Sequence, residues 1–256
     1  MKLELLDTSF GYRERTVVSH LSATFHESRM VGILGNNGIG KSTLLKGILG
    51  LNPVRSGRVL LDGESIPEMS PQVRACRLAY LEQQASCHWP MTVERVISLG
   101  RHPHGPGRRD AEIILQAMQM TDTHGLAQRP VTQLSGGERT RVMLARSLAV
   151  DAPVLIADEP IAGLDPHHQV SVMTKLKRWA AGGRMVILTL HDLNLALHYC
   201  DDVLMLGHGM YYFGEADSLL DVNRLSRFFH IRAEVAEVGG LQSLVNWKPG
   251  SPSAHP

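Results

Sequence analysis

The chain carries little net charge, few cysteines and no long apolar run, and each shortage excludes something. Twenty-six Lys and Arg against 25 Asp and Glu give a formal net charge of +1. Bulk charge therefore gives no support to a nucleic-acid or membrane-surface role. Three cysteines over 256 residues (Cys76, Cys87 and Cys200), odd in number and irregularly spaced, make no disulfide framework, and a reducing compartment is the simplest reading. No apolar run approaches the ~20 residues that span a bilayer. The longest are strand-sized, such as Met185–Leu190. The first residues, Met1–Asp7, have no apolar core of the signal-peptide kind. A soluble or peripheral protein is expected, with any membrane location supplied by a partner. No internal repeat is visible.

What is present is α/β punctuation. Short apolar runs (Met30–Leu34, Val154–Ala157, Val186–Leu188, Val203–Leu206) alternate with helix-period segments. Such runs read as buried parallel strands of an α/β fold. Lys2–Leu6 and Val17–Phe25 predict a small antiparallel β region. A helix is expected after Asp165-Pro166, a cap residue followed by a first-turn proline. Its apolar face is Val172, Met173, Leu176, Trp179 and Ala180, and Gly182-Gly183 ends it. Residues 84–134 lack strand runs and read as a helical subdomain inserted between core segments 1–83 and 135–230. Residues 231–256 form a C-terminal extension whose end, from Lys248, is expected to be a disordered tail.

Gly35-Asn36-Asn37-Gly38-Ile39-Gly40-Lys41-Ser42 follows one of those strands and opens a helix with Thr43, matching the P-loop pattern G-x-x-x-x-G-K-[ST]. Its glycines let backbone N–H groups turn inward and, with the helix N-terminus, cradle phosphate oxygens. Lys41 would reach the β/γ-phosphates and Ser42 would bind Mg²⁺. Val154–Ala157 ends in Asp158 and Glu159, at the strand edge where ligands bind in open α/β sheets. Asp158 suits Mg²⁺, and Glu159 suits an attacking water. Leu134-Ser135-Gly136-Gly137-Glu138 is a capping box, Ser135 at the cap and Glu138 three residues on. A cap alone does not need two glycines, which cost helix stability. Gly136 and Gly137 there leave room for a phosphate at the helix N-terminus.

In these three motifs and their order, about residues 1–230 resemble the ATP-binding cassettes of ABC transporters. Gly35–Ser42 matches the family's Walker A, Val154–Glu159 its Walker B and Leu134–Glu138 its signature. Ala162-Gly163-Leu164-Asp165 matches its D-loop. The resemblance makes Tyr12 the adenine-stacking aromatic, Gln83 the Q-loop glutamine, with Gln84 leaving the register open by one, and His191 the switch histidine. Glu82 and Ala157 depart from the usual residues without removing a catalytic group. The resemblance implies an ATPase that uses ATP and Mg²⁺, and a head-to-tail dimer of two copies. In that dimer Ser135 and Gly137 of one chain complete the other's site. It further implies polytopic permease subunits, a substrate-binding protein acting through them, and a place on the cytoplasmic face of the inner membrane. Leu99-Gly100-Arg101-His102-Pro103-His104 and Leu190–Ala196 are similar to the iron–siderophore, haem and cobalamin importer subgroup. Cassettes for zinc, manganese or molybdate, exporter cassettes and soluble ABC ATPases are the alternatives. His102 and His104 read as exposed loop histidines, since two histidines lack the further ligands of a metal site. His167 and His168, adjacent at a helix start, diverge by about 100° and do not chelate.

Overall fold

A computed structural model describes residues 1–12, 15–83, 85, 87 and 89–250. The chain divides into two compact units, residues 1–67 with 189–256 and residues 68–188. The first begins with β1 (Lys2–Tyr12), β2 (Arg15–His26), β3 (Met30–Leu34), α1 (Lys41–Ile48), β4 (Val54–Leu61) and β5 (Glu64–Ser65). Residues 68–188 hold α2 (Pro71–Arg77), β6 (Leu78–Leu81), α3 (Val93–Ser98), α4 (Asp110–Met120), α5 (Gly136–Leu148), β7 (Val154–Ala157), α6 (Pro166–Ala181) and all but the last residue of β8 (Met185–Thr189). The first unit resumes with α7 (Leu193–Tyr199), β9 (Asp202–Gly207), β10 (Met210–Glu215), α8 (Val222–Phe229), β11 (Ile231–Val238) and β12 (Leu241–Pro249).

The fold is mixed α/β with parallel strands at its core, as the apolar runs predict. In the first unit β9 runs parallel to β3, and β10 closes antiparallel on β9. In the second, β6, β7 and β8 are all parallel, with β7 in the middle. Every residue of β3, β7 and β8 is buried. A strand covered on both faces needs an unbroken apolar run and not an alternating one. The antiparallel sheet β2-β1-β4-β5 belongs to the first unit. β1 extends well past Leu6, bent by register shifts after Leu5 and by Asp7 at φ 50. Those bulges break the period-2 pattern that a sequence reader follows.

Helix boundaries follow side-chain chemistry. Asp165 caps α6 by accepting from His168 N–H at 2.9 Å, and Pro166 takes the first helical position. Val172, Met173, Leu176 and Ala180 are buried, whereas Trp179 is half-buried with the Arg184 guanidinium 4.8 Å from its ring centroid. α4, Asp110–Met120, falls within the segment expected to be helical. Lys248 and Pro249, expected in a disordered tail, instead belong to β12; residues 251–256 lie outside the described residues.

Candidate functional site

The P-loop is built from the end of β3. Gly40 stands in the left-handed region at φ 113 as the cap residue of α1, and a Cβ there would meet Val17 Cγ1 at 2.3 Å. Both its backbone and its space exclude a side chain. No side chain caps α1 and no carboxylate sits in its first turn. The orphan N–H groups and dipole of that turn stay available to an anion. Asn36, Asn37 and Gly38 are exposed, while Ile39 is buried and anchors the loop, its N–H donating to Asn36 O at 3.2 Å. Lys41 is 7% exposed, and its Nζ donates to Gly35 O at 2.7 Å and Asn36 O at 3.4 Å. The ammonium is thereby tethered to the loop's own carbonyls. Ser42 and Thr43 follow on the first turn, half-buried. A loop with three left-handed glycines, a held ammonium and a helix start free of carboxylates fits a nucleotide phosphate.

In the same unit His191 is exposed between Leu190, whose N–H donates to Ile33 O at 3.1 Å, and Asp192, the cap of α7. Tyr12 closes β1 opposite Arg15. Its ring, read as the adenine platform, lies outside the described side chains, as does Gln84, the alternative Q-loop register.

In the second unit, Gln83, Asp158 and Glu159 line one cavity of about 160 Å³. Asp158 is 2% exposed, with its N–H donating to Leu81 O at 2.8 Å across the β6–β7 edge. A buried carboxylate at a strand end, beside a glutamine and a second carboxylate, is an oxygen donor set that suits Mg²⁺. Glu159 is half-buried and left-handed at φ 54. A non-glycine residue in that region costs of order 1–3 kcal/mol, and such strain concentrates at functional sites. Burial, with the charges of Asp158 and Glu82 behind it, pushes the Tyr80 phenol up.

The signature segment starts α5 with a complete capping box. Ser135 Oγ accepts from Glu138 N–H at 3.3 Å, and Glu138 Oε2 accepts from Ser135 N–H at 2.8 Å. That last bond, joined by Arg129, holds the Glu138 carboxyl below its usual range. A Cβ at Gly136 would meet nothing within 4 Å, and one at Gly137 would touch Gly163 O at 3.4 Å. The helix start is thus open at Gly136 and close to the D-loop at Gly137. Thr140, which no local signal marks, joins the two by donating to Ala162 O at 3.4 Å, and it lines the cavity of Asp158 and Glu159.

The Leu99–His104 segment forms a 3-10 turn, not the plain loop expected, and it caps the far end of α5. Arg101 donates to Ala149 O and Val150 O at 3.1 and 2.8 Å, and His104 Nε2 donates to Val150 O at 2.8 Å. Arg101 also pairs with Asp110 and holds that carboxyl below its usual range. Gly100 lets the turn approach, since a Cβ there would lie 2.2 Å from Arg146 O. Gly100→Ala is therefore expected to cost roughly 1–3 kcal/mol of stability through overpacking against backbone. An unfolding midpoint equal to the parent's would remove that account of the glycine.

A family model described as ABC transporter matches residues 18–162, more than half of the chain. The chain belongs to the ABC transporter family. An ABC cassette binds and hydrolyses ATP, and that coarse activity goes with the membership. The hemin import ATP-binding protein of Pseudomonas entomophila is 43% identical over 199 residues, 75% of this cassette and 78% of the relative. A cobalamin import ATP-binding protein of Halobacterium salinarum is 37% identical over 86% of the cassette, which spans 56% of that longer relative. Among solved structures, the inward-facing conformation of an ABC transporter described as of metal-chelate type superposes at TM-score 0.82. Its identity is 25%, over 96% of each chain.

Proposed function

We propose that this cassette is the ATP-hydrolysing subunit of an importer for a metal chelate of the haem, siderophore or cobalamin kind. The observation that carries the reading is the 43% identity to a hemin import cassette, over most of both chains. The Leu99–His104 and Leu190–Ala196 segments support it. In this reading the P-loop from Gly35 to Thr43 wraps the triphosphate, with Lys41 on its β/γ oxygens and Tyr12 against adenine. Ser42, Asp158 and Gln83 would hold Mg²⁺, which when bound neutralises charge developing between the β- and γ-phosphates. Glu159 orients and deprotonates the attacking water, and His191 contacts the γ-phosphate. Ser135, Gly136, Gly137 and Asp165 act on the nucleotide of a second copy in a head-to-tail dimer.

No helix among the described residues is long and apolar enough to cross a membrane, and in this reading a permease carries the cargo. A groove of about 630 Å³ on the helical segment, lined by Arg95, Ile114, Leu115 and Met118 among others, supports that partner. It offers an apolar floor with a charged rim, of the kind that seats an amphipathic helix. The cassette would then lie peripherally on the cytoplasmic face of the inner membrane, a substrate-binding protein acting through the permease and no nucleic acid taking part.

The test is an affinity pull-down from detergent-solubilised membranes with the Glu159→Gln chain, with and without ATP, partners being identified by mass spectrometry. Recovery of a polytopic permease of the iron-chelate, haem or cobalamin kind is expected. A permease for zinc, manganese or molybdate, or an exporter's membrane domain, would replace the cargo class. Recovery of ribosomal or DNA-bound proteins alone would sink the transport reading.

A further inference from the structure

The second half of Leu190–Ala196 has no part in the chemistry above, yet Asn194 makes a two-bond polar contact within the first unit. Its side-chain amide pairs with both main-chain groups of a single residue of β12. Nδ2–H donates to Leu244 O at 3.0 Å, and Oδ1 accepts from Leu244 N–H at 2.8 Å. One turn further along α7, His198 Nε2 donates to Gln242 O at 2.9 Å. The match is geometric. Four residues of helix rise about 6 Å, and two residues of strand span about 6.8 Å. Residues i and i+4 of α7 thus meet residues j+2 and j of β12 and occupy the edge that the strand would otherwise leave open. The hairpin itself is well defined. Gly239 and Gly240, at φ 60 and 80, make the two-residue turn that pairs Val238 with Leu241.

The contact reaches His191 in two steps. The main-chain N–H of Asn194 donates to Asp192 Oδ1 at 2.8 Å, and Leu195 N–H adds a second bond to the same oxygen at 3.0 Å. Asp192 is the residue after His191. On the other side, Leu190 N–H is bonded to Ile33 of β3, the strand that leads into the P-loop. Near the far end of α7, Cys200 packs against the same strand, its Sγ 2.9 Å from where a Cβ on Gly32 would stand. The turn bearing His191 is therefore held to β3 before it and, through Asp192 and Asn194, to the hairpin after it.

We propose that Asn194 is a positioning residue for His191, and that the β11–β12 hairpin is a strap fixing the turn that presents this histidine to the γ-phosphate. The proposal rests on the assignment of His191 made above. A turn held at both ends keeps its histidine in place, and displacements near 1 Å suffice to slow a reaction. The strap thereby links the C-terminal segment to turnover without touching the nucleotide.

The test is a double-mutant cycle on the full chain. Asn194→Ala is expected to lower kcat by about tenfold at unchanged ATP affinity, because it disturbs the geometry of a step and not the binding of the triphosphate. In a His191→Ala background the same substitution should then cost nothing further. Unchanged kcat in the single variant, or a loss that adds in full to that of His191→Ala, overturns the proposal, since a merely structural role adds. Should Asn194→Ala fail to fold, His198→Leu cuts the second contact and is read by the same cycle. A slow His191→Ala beside a fast Asn194→Ala rejects the strap alone. A His191→Ala chain with parental turnover rejects the histidine's role and the strap with it.

Discussion

Glu159→Gln is expected to lower ATP turnover by roughly 10²–10⁴-fold, the usual worth of a general base. Glutamine keeps the length and planar shape of the side chain and can still accept a hydrogen bond through its oxygen. What it loses is the negative charge and the basicity that draw a proton from water. The backbone should tolerate the change. Glu159 is left-handed at φ 54, a conformation that glutamine would adopt at a cost similar to that of glutamate. Its neighbours in the cavity, Gln83 and Asp158, stay in place. ATP affinity should therefore hold while hydrolysis stops, and an ATP-bound dimer should accumulate. Phosphate release measured at saturating ATP, with size-exclusion chromatography of the same samples, checks both halves. Turnover near the parent value would remove Glu159 from the catalytic role and leave its strained backbone without a functional explanation.

What could be read from the sequence was whatever depends on adjacent residues. A strand covered on both faces needs an unbroken apolar run, so Val154–Ala157 and Met185–Thr189 are legible as they stand. A capping box is four residues long, and the one at Ser135 and Glu138 has the predicted bonds in both directions. The P-loop is likewise contiguous, and its glycines carry their geometry with them. Where the determinants lie far along the chain, the reading fails. Lys248 and Pro249 look like the start of a tail, yet they belong to a hairpin docked by Asn194 and His198, some 50 residues earlier. Thr140 carries no local mark of its place beside Asp158 and Glu159, which comes from α5 packing under the D-loop. The continuation of β1 past Leu6 is hidden for another reason: its bulges shift the side chains out of alternation.

Lys41→Ala is expected to weaken ATP binding by roughly ten- to a hundredfold, because charge-assisted hydrogen bonds contribute about 1.5–3 kcal/mol each. Lys41 is 7% exposed and its ammonium is already tethered to Gly35 O and Asn36 O, so little side-chain freedom remains to be lost when it meets phosphate oxygens. The orphan N–H groups of α1 and the helix dipole remain in the variant, which is why a residual affinity should survive. Alanine also removes the buried aliphatic stem, and the loop could loosen for that reason alone. Lys41→Met separates the two causes. It keeps an unbranched stem of nearly the same length and discards only the charge and its donors. Calorimetric titration of both variants with ATP and with ADP should give similar losses if the ammonium is what matters. The loss should be larger for ATP, whose γ-phosphate adds charge within reach of Nζ. A methionine variant that binds like the parent would assign the loss in alanine to packing, and unchanged affinity in both would overturn the P-loop assignment itself.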